Sequence, residues 1–260
     1  MSSTSPTGNN FRGVFSSNND SLANQCDAII KLFNESQDIV QAGRNTLKKV
    51  TFEGTVCVVK SFRIPKFPQN YSYGMIAKSK AKKSYDNATR LLELGFSSPK
   101  PVGYIEYRSA GKLTNSYYIC EYEAETQTLH SILGEEPSLN PELIEQFADY
   151  CYKLHQNGIL HRDFNPKNIL ISTNNETYDF SLVDINRITW SNALSLENSM
   201  SSLSRLPFNE NTTDLLLDHY ANSANADKVQ CLNLLRQAEQ KTQRYFRNKR
   251  RFRKIFPKKR

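Results

Sequence analysis

The stretch HRDFNPKNILI, residues 161–171, constrains the interpretation of this chain more than any other. It places Asp163 and Asn168 five positions apart on one loop, directly before a short apolar run. Asp and Asn are common in ordinary turns, where their side chains bond the local backbone. A site for phosphate and a divalent cation, in contrast, needs a carboxylate and a second oxygen ligand held close together. The stretch therefore indicates phosphate chemistry, provided that the chain supplies the remaining groups.

Two further residues can complete such a site. Lys60 ends the strand-like run VCVVK, so a rigid strand can aim its ammonium at nucleotide phosphates. Asp184 ends the apolar run 180–183 and offers a full negative charge to a metal ion. Phosphoryl transfer from ATP needs a cation on the phosphates, Mg²⁺ held by oxygen ligands, and a carboxylate that receives the proton of the acceptor hydroxyl. The residues predict ATP and Mg²⁺ as cofactors.

The same residues carry a resemblance to a known superfamily. HRDFNPKN resembles the protein-kinase catalytic loop H-R-D-x-x-x-x-N at the same spacing, VCVVK resembles the Lys-bearing third strand, and VDIN takes the place of D-F-G. The resemblance implies an α+β, two-lobed protein-kinase-like fold over roughly residues 35–235. Its N-lobe would be β-rich with one main helix, and its C-lobe mostly helical.

The resemblance also implies a role for each residue. Lys60 would contact the α- and β-phosphates, Asp163 would be the catalytic base, and Asn168 and Asp184 would hold Mg²⁺. The flanking residues His161 and Arg162 would support the loop. Asn165 stands where many protein kinases have a Lys, and its role stays open.

A narrower resemblance lies in VVKSFRIP and in KSKAKKSYDNATRLLELGFSSPKPVGYIE. These segments look like the bacterial lipopolysaccharide kinases that phosphorylate Kdo or heptose in the inner core. The resemblance implies an ATP-dependent sugar kinase with a lipid-linked acceptor, acting peripherally at the cytoplasmic face of the inner membrane, with Kdo as the expected sugar. A Ser/Thr kinase, another small-molecule kinase and a catalytically weak pseudokinase scaffold remain as alternatives.

Three features depart from the kinase pattern. Gly43 is the one glycine in the region of the glycine-rich loop, and no GxGxxG is present, so we expect its backbone to cradle phosphate less closely. The Glu position that should pair with Lys60 falls at Ser84, and either Asp86 or Glu93 could replace it. The D-F-G segment reads Asp184-Ile185-Asn186, and no A-P-E follows, which speaks against a regulated activation loop.

The pattern of strands, helices and turns predicts four segments. Residues 1–20 are expected to form a flexible leader, 21–123 the nucleotide-binding N-lobe, 124–240 the catalytic C-lobe, and 241–260 a basic tail. The clearest helix follows Asn140, which can cap it, and ends near Gly158. A second helix is expected from about Lys78 to Gly95, and a short one over 21–35.

The basic tail suggests how the protein meets its acceptor. The whole chain carries +8, and residues 241–260 contain eleven Lys and Arg and no acid, so residues 1–240 carry 8 − 11 = −3. Basic and aromatic residues alternate there, which favours contact with an anionic membrane. Counterion release would reward the same charges on a nucleic acid, but the acidic body argues against a wide nucleic-acid footprint.

The remaining features fit a soluble intracellular chain. No apolar run approaches the ~20 residues of a membrane span, and the polar N-terminus lacks the apolar core of a signal peptide, so we expect a cytoplasmic location. The five cysteines are scattered without a CxxC pair, which makes zinc binding and a disulfide framework poor interpretations. Cys57 and Cys120 are expected to be small buried hydrophobic residues.

Overall fold

The fold comes from a computed structural model that describes residues 3–4, 10–15, 21–64, 77–135, 140–174 and 177–255. It divides into two compact units. Unit 1 comprises Met1–Glu125 together with Ser181–Asn186, and unit 2 comprises Thr126–Phe180 together with Arg187–Arg260. The predicted boundary between 123 and 124 lies two residues from this division, and the segment that carries Asp184 groups with unit 1.

Unit 1 is built on a seven-stranded antiparallel sheet with the strand order β1-β2-β6-β7-β5-β4-β3. Its strands and two helices, in chain order, are β1 (Ser3–Thr4), β2 (Asn10–Phe15), α1 (Leu22–Glu35), β3 (Ile39–Gln41), β4 (Thr46–Phe52), β5 (Thr55–Ser61), α2 (Lys80–Glu93), β6 (Pro101–Ser109) and β7 (Lys112–Glu121). The β-rich first lobe is confirmed, and the helix predicted over 21–35 is present as α1, which at 14 residues is as long as α2.

Helix α1 covers one face of this sheet. Ser21 caps it by accepting a hydrogen bond from the Asn24 N–H, and Cys26, Ile29 and Phe33 fall on one buried stripe at helical spacing. They pack against apolar residues from strands β2, β4, β5, β6 and β7 in a single core cluster. This core includes Cys57 and Val59 of β5, the strand that carries Lys60.

One prediction for this unit is wrong. Residues 10–15, assigned to a flexible leader, form strand β2 and pair with β6 along their full length. The reason is a period-two pattern that places Phe11 and Phe15 on the core face, where they are 2% and 7% exposed. The Asn- and Ser-rich residues on either side of NFRGVF hid this short alternation. The other leader residues lie outside the described ones, apart from Ser3 and Thr4 in β1.

Unit 2 is mostly helical, as predicted. In chain order its elements are β8 (Gln127–Thr128), α3 (Leu129–Glu135), α4 (Pro141–Gln156), β9 (Ile159–His161), a 3-10 turn (Pro166–Asn168), β10 (Ile169–Asn174), β11 (Thr177–Leu182), which ends in unit 1, a second 3-10 turn (Ile185–Arg187), which begins in unit 1, β12 (Ile188–Trp190), α5 (Leu196–Leu203), α6 (Glu210–Ala224) and α7 (Lys228–Ile255). Strands β11, β10 and β8 form one small sheet, and β12 and β9 form another.

Helix α4 shows why the site lies where it does. Asn140 caps it through the Glu142 N–H, as the sequence predicted, and Pro141 occupies its first turn. After α4 ends, Gly158 takes a left-handed conformation with φ +67°, and the chain turns directly into β9. A Cβ at Gly158 would collide with the backbone oxygen of Ser191, so this turn requires glycine.

Two further expectations concern cysteines and membrane spans. All five cysteines are free. Cys57 is fully buried, as expected for a small hydrophobic residue, whereas Cys120 is only partly buried. No helix within the described residues combines the length and the apolar character that a bilayer crossing demands.

Candidate active site

The loop 161–168 of unit 2 is held in place by two buried aromatic side chains, His161 and Phe164. His161 is buried at the end of β9, and its Nδ1 accepts a hydrogen bond from the Asp163 backbone N–H at 3.2 Å. Phe164 is 1% exposed and stacks parallel to Phe147 of α4, with ring centroids 6.2 Å apart. The side chain between these anchors, Asp163, is only partly buried. The loop therefore holds a carboxylate at the surface on a rigid base.

Two amides surround Asp163 within this loop. The Asn165 amide donates to the Asp163 carbonyl at 3.0 Å and to its Oδ1 at 3.2 Å. The Asn168 amide donates to the same carbonyl at 2.8 Å. Since its Nδ2 faces inward, Asn168 has its Oδ1 as the acceptor that a cation could take. Asn165, whose role the sequence left open, thus contacts Asp163 directly.

Lys60 lies on β5 between its two neighbours in the sheet, opposite Leu47 of β4 and Tyr118 of β7. Its side chain is 12% exposed, and its Nζ donates to Asp184 Oδ1 at 2.6 Å. The same Nζ lies 5.3 Å from the ring centroid of Phe62. Lys60 and Asp184, which belong to two different sequence motifs, therefore form an ion pair within unit 1.

Asp184 is held in an unusual backbone conformation. Its φ is +54°, in the left-handed region that residues other than glycine adopt at a cost of about 1 kcal/mol. The Asn186 amide donates to its Oδ1 at 2.6 Å, so this oxygen receives bonds from both Asn186 and Lys60. On the N-terminal side, Leu182 donates to the Ser97 carbonyl at 3.0 Å and accepts from the Ser98 hydroxyl at 2.9 Å.

Helix α2 does not supply an acidic partner for Lys60 among the described contacts. Ser84, at the expected Glu position, is buried and donates to the Lys80 carbonyl within its own helix. Asp86 is paired with Lys78 at 2.6 Å and with Lys82 at 3.3 Å, and Glu93 is exposed at the helix end. Neither Asp86 nor Glu93 is therefore the partner of Lys60 in the described contacts.

Sequence reasoning missed Asn87 on this helix. Its side-chain amide donates to the backbone carbonyl of Ile185 at 2.7 Å, in the segment directly after Asp184. No motif marks the residue, and a single Asn on a helix face carries no recognisable signal. A contact between residues 98 positions apart becomes visible only in the folded chain.

Gly43 lies in the bend between β3 and β4 and is exposed. A Cβ at this position would meet no heavy atom within 4 Å, and its φ is not in the left-handed region. Neither space nor backbone conformation thus requires glycine at this position. The role of Gly43 in phosphate binding stays a prediction.

Two residues at the end of β7 and just after it have raised pKa values. Desolvation raises the pKa of the Cys120 thiol to about 12, so this cysteine is neutral and unreactive near neutral pH. Burial also raises the pKa of Glu123, whose Oε1 accepts a hydrogen bond from the Ser181 hydroxyl at 3.1 Å. Cys120 therefore offers no nucleophile to the site.

Each unit offers an oxygen ligand of the kind that Mg²⁺ takes. In unit 1 the side chain of Asp184 has a carboxylate. In unit 2 the side chain of Asn168 has an amide oxygen. No cluster of three or more His, Cys, Asp or Glu that could cage a metal occurs in the described part of the chain. Mg²⁺ commonly binds through one or two carboxylates and substrate phosphates, so such a cage is not needed. The ammonium of Lys60 has the charge that nucleotide phosphates require.

Comparisons with known proteins point in the same direction. The family model described as "Lipopolysaccharide kinase (Kdo/WaaP) family" matches residues 57–220. The 3-deoxy-D-manno-octulosonic acid kinase of Mannheimia succiniciproducens is 28% identical over 45% of this chain and 48% of its own length. The serine/threonine-protein kinase PknB of Mycobacterium tuberculosis is 42% identical over 25% of this chain and 11% of its own length. The chain thus spans at most about half of these curated relatives.

A solved structure extends the likeness to the fold. The structure entitled "WaaP in complex with acyl carrier protein" has a TM-score of 0.63 at 18% identity, over 90% of this chain and 98% of that chain. At this identity the likeness concerns the fold alone. It confirms the α+β kinase-like fold that the motifs predicted.

Proposed function

Because the chain belongs to the lipopolysaccharide kinase (Kdo/WaaP) family, we propose that it is an ATP-dependent phosphotransferase acting on a sugar hydroxyl of the lipopolysaccharide inner core. The observation that carries this proposal is the extent of the family match, residues 57–220. That range includes Lys60 and Asp184, which form an ion pair, and Asp163 and Asn168, which share a loop.

The roles proposed for these residues follow the motif. Lys60 contacts the α- and β-phosphates, and Asp163 orients the acceptor hydroxyl and takes its proton. Asn168 and Asp184 hold Mg²⁺, and the backbone at Gly43 lies over the phosphates. Bound MgATP supplies the transferred phosphoryl group and neutralises charge that develops during transfer.

Asn165 is assigned a supporting role in this scheme. It donates to both the carbonyl and the carboxylate of Asp163, and its own Oδ1 accepts the Lys167 N–H at 3.0 Å. An amide fixed on both sides can hold the neighbouring carboxylate in one rotamer, which favours a single productive geometry for proton transfer.

The finer proposal is that the acceptor is Kdo. The name of the relative from Mannheimia succiniciproducens, a 3-deoxy-D-manno-octulosonic acid kinase, supports this choice over heptose. The two sugars are separated by a direct comparison. Lipid A carrying Kdo alone and lipid A carrying Kdo and heptose are offered in parallel, and mass spectrometry locates the phosphate. Phosphate on heptose alone would overturn the Kdo assignment.

The decisive experiment is transfer from labelled ATP to purified lipid A–core acceptor with Mg²⁺ present. We expect label in the glycolipid with the wild type and none with Asp163→Ala. Asp179→Asn is the matched control, because Asp179 is an exposed carboxylate on β11. Tight ATP binding without label in any acceptor would contradict the kinase proposal and favour a pseudokinase scaffold. Label in protein bands alone would favour a Ser/Thr kinase. Label that appears in a soluble sugar, and in neither glycolipid nor protein, would favour another small-molecule kinase.

We also propose that helix α7 contacts an anionic membrane. The first half of α7 buries Cys231, Leu235 and Ala238, at the spacing of one helix face. From residue 243 onward its described side chains are exposed, although the helix continues to Ile255, about 20 Å further. The segment 241–255 has eight Lys and Arg and no acid.

The aromatic residues of α7 favour a membrane over a nucleic acid. Tyr245 is 59% exposed, and position 252, a Phe, lies seven residues later on the same helix face. An interfacial helix buries such a stripe at the headgroup boundary while its Lys and Arg face anionic lipids. Peripheral binding at the cytoplasmic face of the inner membrane would bring the enzyme to a lipid-linked acceptor.

A protein partner is a further proposal. The similar solved structure contains WaaP with acyl carrier protein, and we propose the same association for this chain. Size-exclusion chromatography of the two purified proteins tests it. Separate elution at micromolar concentration would contradict this association without affecting the proposed reaction.

A further inference from the structure

We infer that Asn87 is the positioning residue by which helix α2 holds the segment carrying Asp184, in place of the missing acidic partner of Lys60. This inference rests on the proposed function, because Asp184 is the proposed Mg²⁺ ligand. The contact that carries it is the hydrogen bond from the Asn87 amide to the Ile185 carbonyl at 2.7 Å.

The location of Asn87 on α2 follows from how the helix packs. Ala81, Ser84, Ala88 and Leu91 form its buried stripe. Asn87 lies beside this stripe, three residues after Ser84, and is itself partly buried. The Ser84 hydroxyl bonds within the helix, and one turn later the Asn87 amide reaches out of the helix to the segment 181–186.

The segment 181–186 needs support on both sides of Asp184. Asp184 has a left-handed φ of +54°, a strained conformation that persists only when neighbouring contacts impose it. Ser97 and Ser98 bond Leu182 before it. Asn87 bonds Ile185 after it, and the Ile185 side chain is 2% exposed, so this carbonyl is in a buried setting.

The ion pair between Lys60 and Asp184 explains why a neutral hydrogen-bonding residue suits position 87. Lys60 already meets a carboxylate at 2.6 Å, so a second acid from α2 would compete with Asp184 for the same ammonium. An amide that bonds the backbone fixes the direction of the Asp184 carboxylate without adding charge beside it. Asn87 therefore acts through Asp184 and not on the nucleotide itself.

The test uses Asn87→Leu, which keeps the approximate volume and removes the donor, and Asn87→Gln, which retains an amide. Thr89→Ala is the matched control, because the Thr89 hydroxyl donates to Tyr85 within the same helix. The first readout is hydrogen–deuterium exchange of the peptide covering 181–187, in protein without nucleotide or metal. The second is the affinity for a non-hydrolysable ATP analogue with and without Mg²⁺.

We expect Asn87→Leu to speed exchange of this peptide about five- to tenfold, with helix α4 unchanged. The gain in nucleotide affinity on adding Mg²⁺ should fall by a similar factor, while the affinity without Mg²⁺ and the melting temperature stay near wild type. Asn87→Gln should recover part of both changes, and Thr89→Ala should show neither.

The inference is overturned if the exchange of 181–187 is unchanged in Asn87→Leu, or if Thr89→Ala matches it. It is also overturned if both nucleotide affinities fall together with the melting temperature, which is the result of a merely structural role. Neither readout needs an acceptor. If the wild type gains nucleotide affinity with Mg²⁺ but phosphorylates no glycolipid, the proposed reaction is contradicted. The same variants would still decide the role of Asn87.

Discussion

The Nζ of Lys60 lies 2.6 Å from Oδ1 of Asp184, although 124 residues separate them in the chain. The pair is partly shielded, with side chains 12% and 31% exposed. Asp184 thus occupies the position that an acid on the neighbouring helix was expected to fill. One carboxylate orients the Lys that we propose to bind phosphate, and this Lys orients the carboxylate in turn. We therefore expect the two residues to act as a unit.

The first prediction is that loss of either member of this pair removes most of the activity. Lys60→Met and Asp184→Asn should each lower kcat roughly 100-fold or more. The double variant should lose far less than the product of the two, because residues that act as a unit are not additive. Steady-state transfer assays measure these effects. Lys49→Met, on the next strand, is the control and should stay near wild type, and multiplicative losses would contradict the coupling.

The second prediction concerns Asn165. Asn165→Ala removes two hydrogen bonds to Asp163, at 3.0 and 3.2 Å, and frees the carboxylate to leave its productive rotamer. We expect kcat to fall about tenfold with little change in KM for ATP, since Asp163 is the proposed base of the chemical step. A rise in KM with kcat unchanged would instead indicate that Asn165 contacts the nucleotide.

Much of the fold could be predicted because local signals were strong. The Asn140 cap, Pro141 and the apolar stripe of α4 all agree, and the turn Glu53-Gly54 has the two positive φ values that a tight hairpin requires. Strand β2 was missed because six residues of alternation between polar stretches are too short to outweigh composition. Strand β12 was missed because three residues gain their order from pairing with β9.

The site was predictable only as a set of residue types. The spacing of Asp163 and Asn168 within one loop is local, so the motif contains it. The pairing of Lys60 with Asp184 and the contact of Asn87 with Ile185 join residues 124 and 98 positions apart. The register of β5 and the left-handed turn at Asp184 determine which carboxylate reaches Lys60, and neither is visible in the sequence.

The third prediction is that Gly158→Ala destabilises the protein by about 3 kcal/mol or more. The new Cβ would meet the backbone of Ser191, and alanine would also have to adopt φ +67°. Gly95→Ala isolates the conformational part, because φ is +78° there but nothing lies within 4 Å. It should cost only about 1 kcal/mol. Urea unfolding measures both, and equal losses would contradict the steric argument.

The fourth prediction is a stability loss on acidification that depends on His155. Burial lowers the pKa of His155 to about 3, and its Nδ1 lies 2.9 Å from the Tyr220 hydroxyl. The unfolded chain takes up a proton near pH 6.5, so it binds more protons than the folded chain between about pH 6.5 and about pH 3. Stability is complete above this window and falls as the pH drops through it.

The expected loss is about 1.4 kcal/mol for each pH unit below about 6.5. Urea unfolding of the wild type and His155→Gln between about pH 8 and about pH 5.5 measures it. Glutamine can still hydrogen-bond to Tyr220 but does not titrate. The free energy of unfolding of His155→Gln should therefore change less with pH, by about 1.4 kcal/mol for each pH unit. His130→Gln, at an exposed position, should keep the wild-type slope. Parallel curves for wild type and His155→Gln would contradict this assignment.

The last prediction concerns the basic half of α7. Replacing Arg244, Arg247 and Lys249 by Gln removes three exposed charges, each of which contributes about 1 kcal/mol near an anionic bilayer. Binding to vesicles that contain phosphatidylglycerol should therefore weaken roughly 100-fold at low salt. Sedimentation with vesicles measures it, and phosphatidylcholine vesicles should bind neither protein. The control replaces the exposed Lys31, Lys100 and Arg205, which changes the net charge equally.

The aromatic positions of α7 separate a membrane from a nucleic acid. Tyr245→Ser with Phe252→Ser leaves every charge in place, so counterion release on a polyanion should be unaffected. Insertion at the headgroup boundary should be lost, because it depends on the aromatic stripe. We expect this double variant to bind anionic vesicles several-fold more weakly and to bind a single-stranded oligonucleotide as the wild type does. Tight oligonucleotide binding with unchanged vesicle binding would reverse the assignment, because the helix would then act through its charge alone.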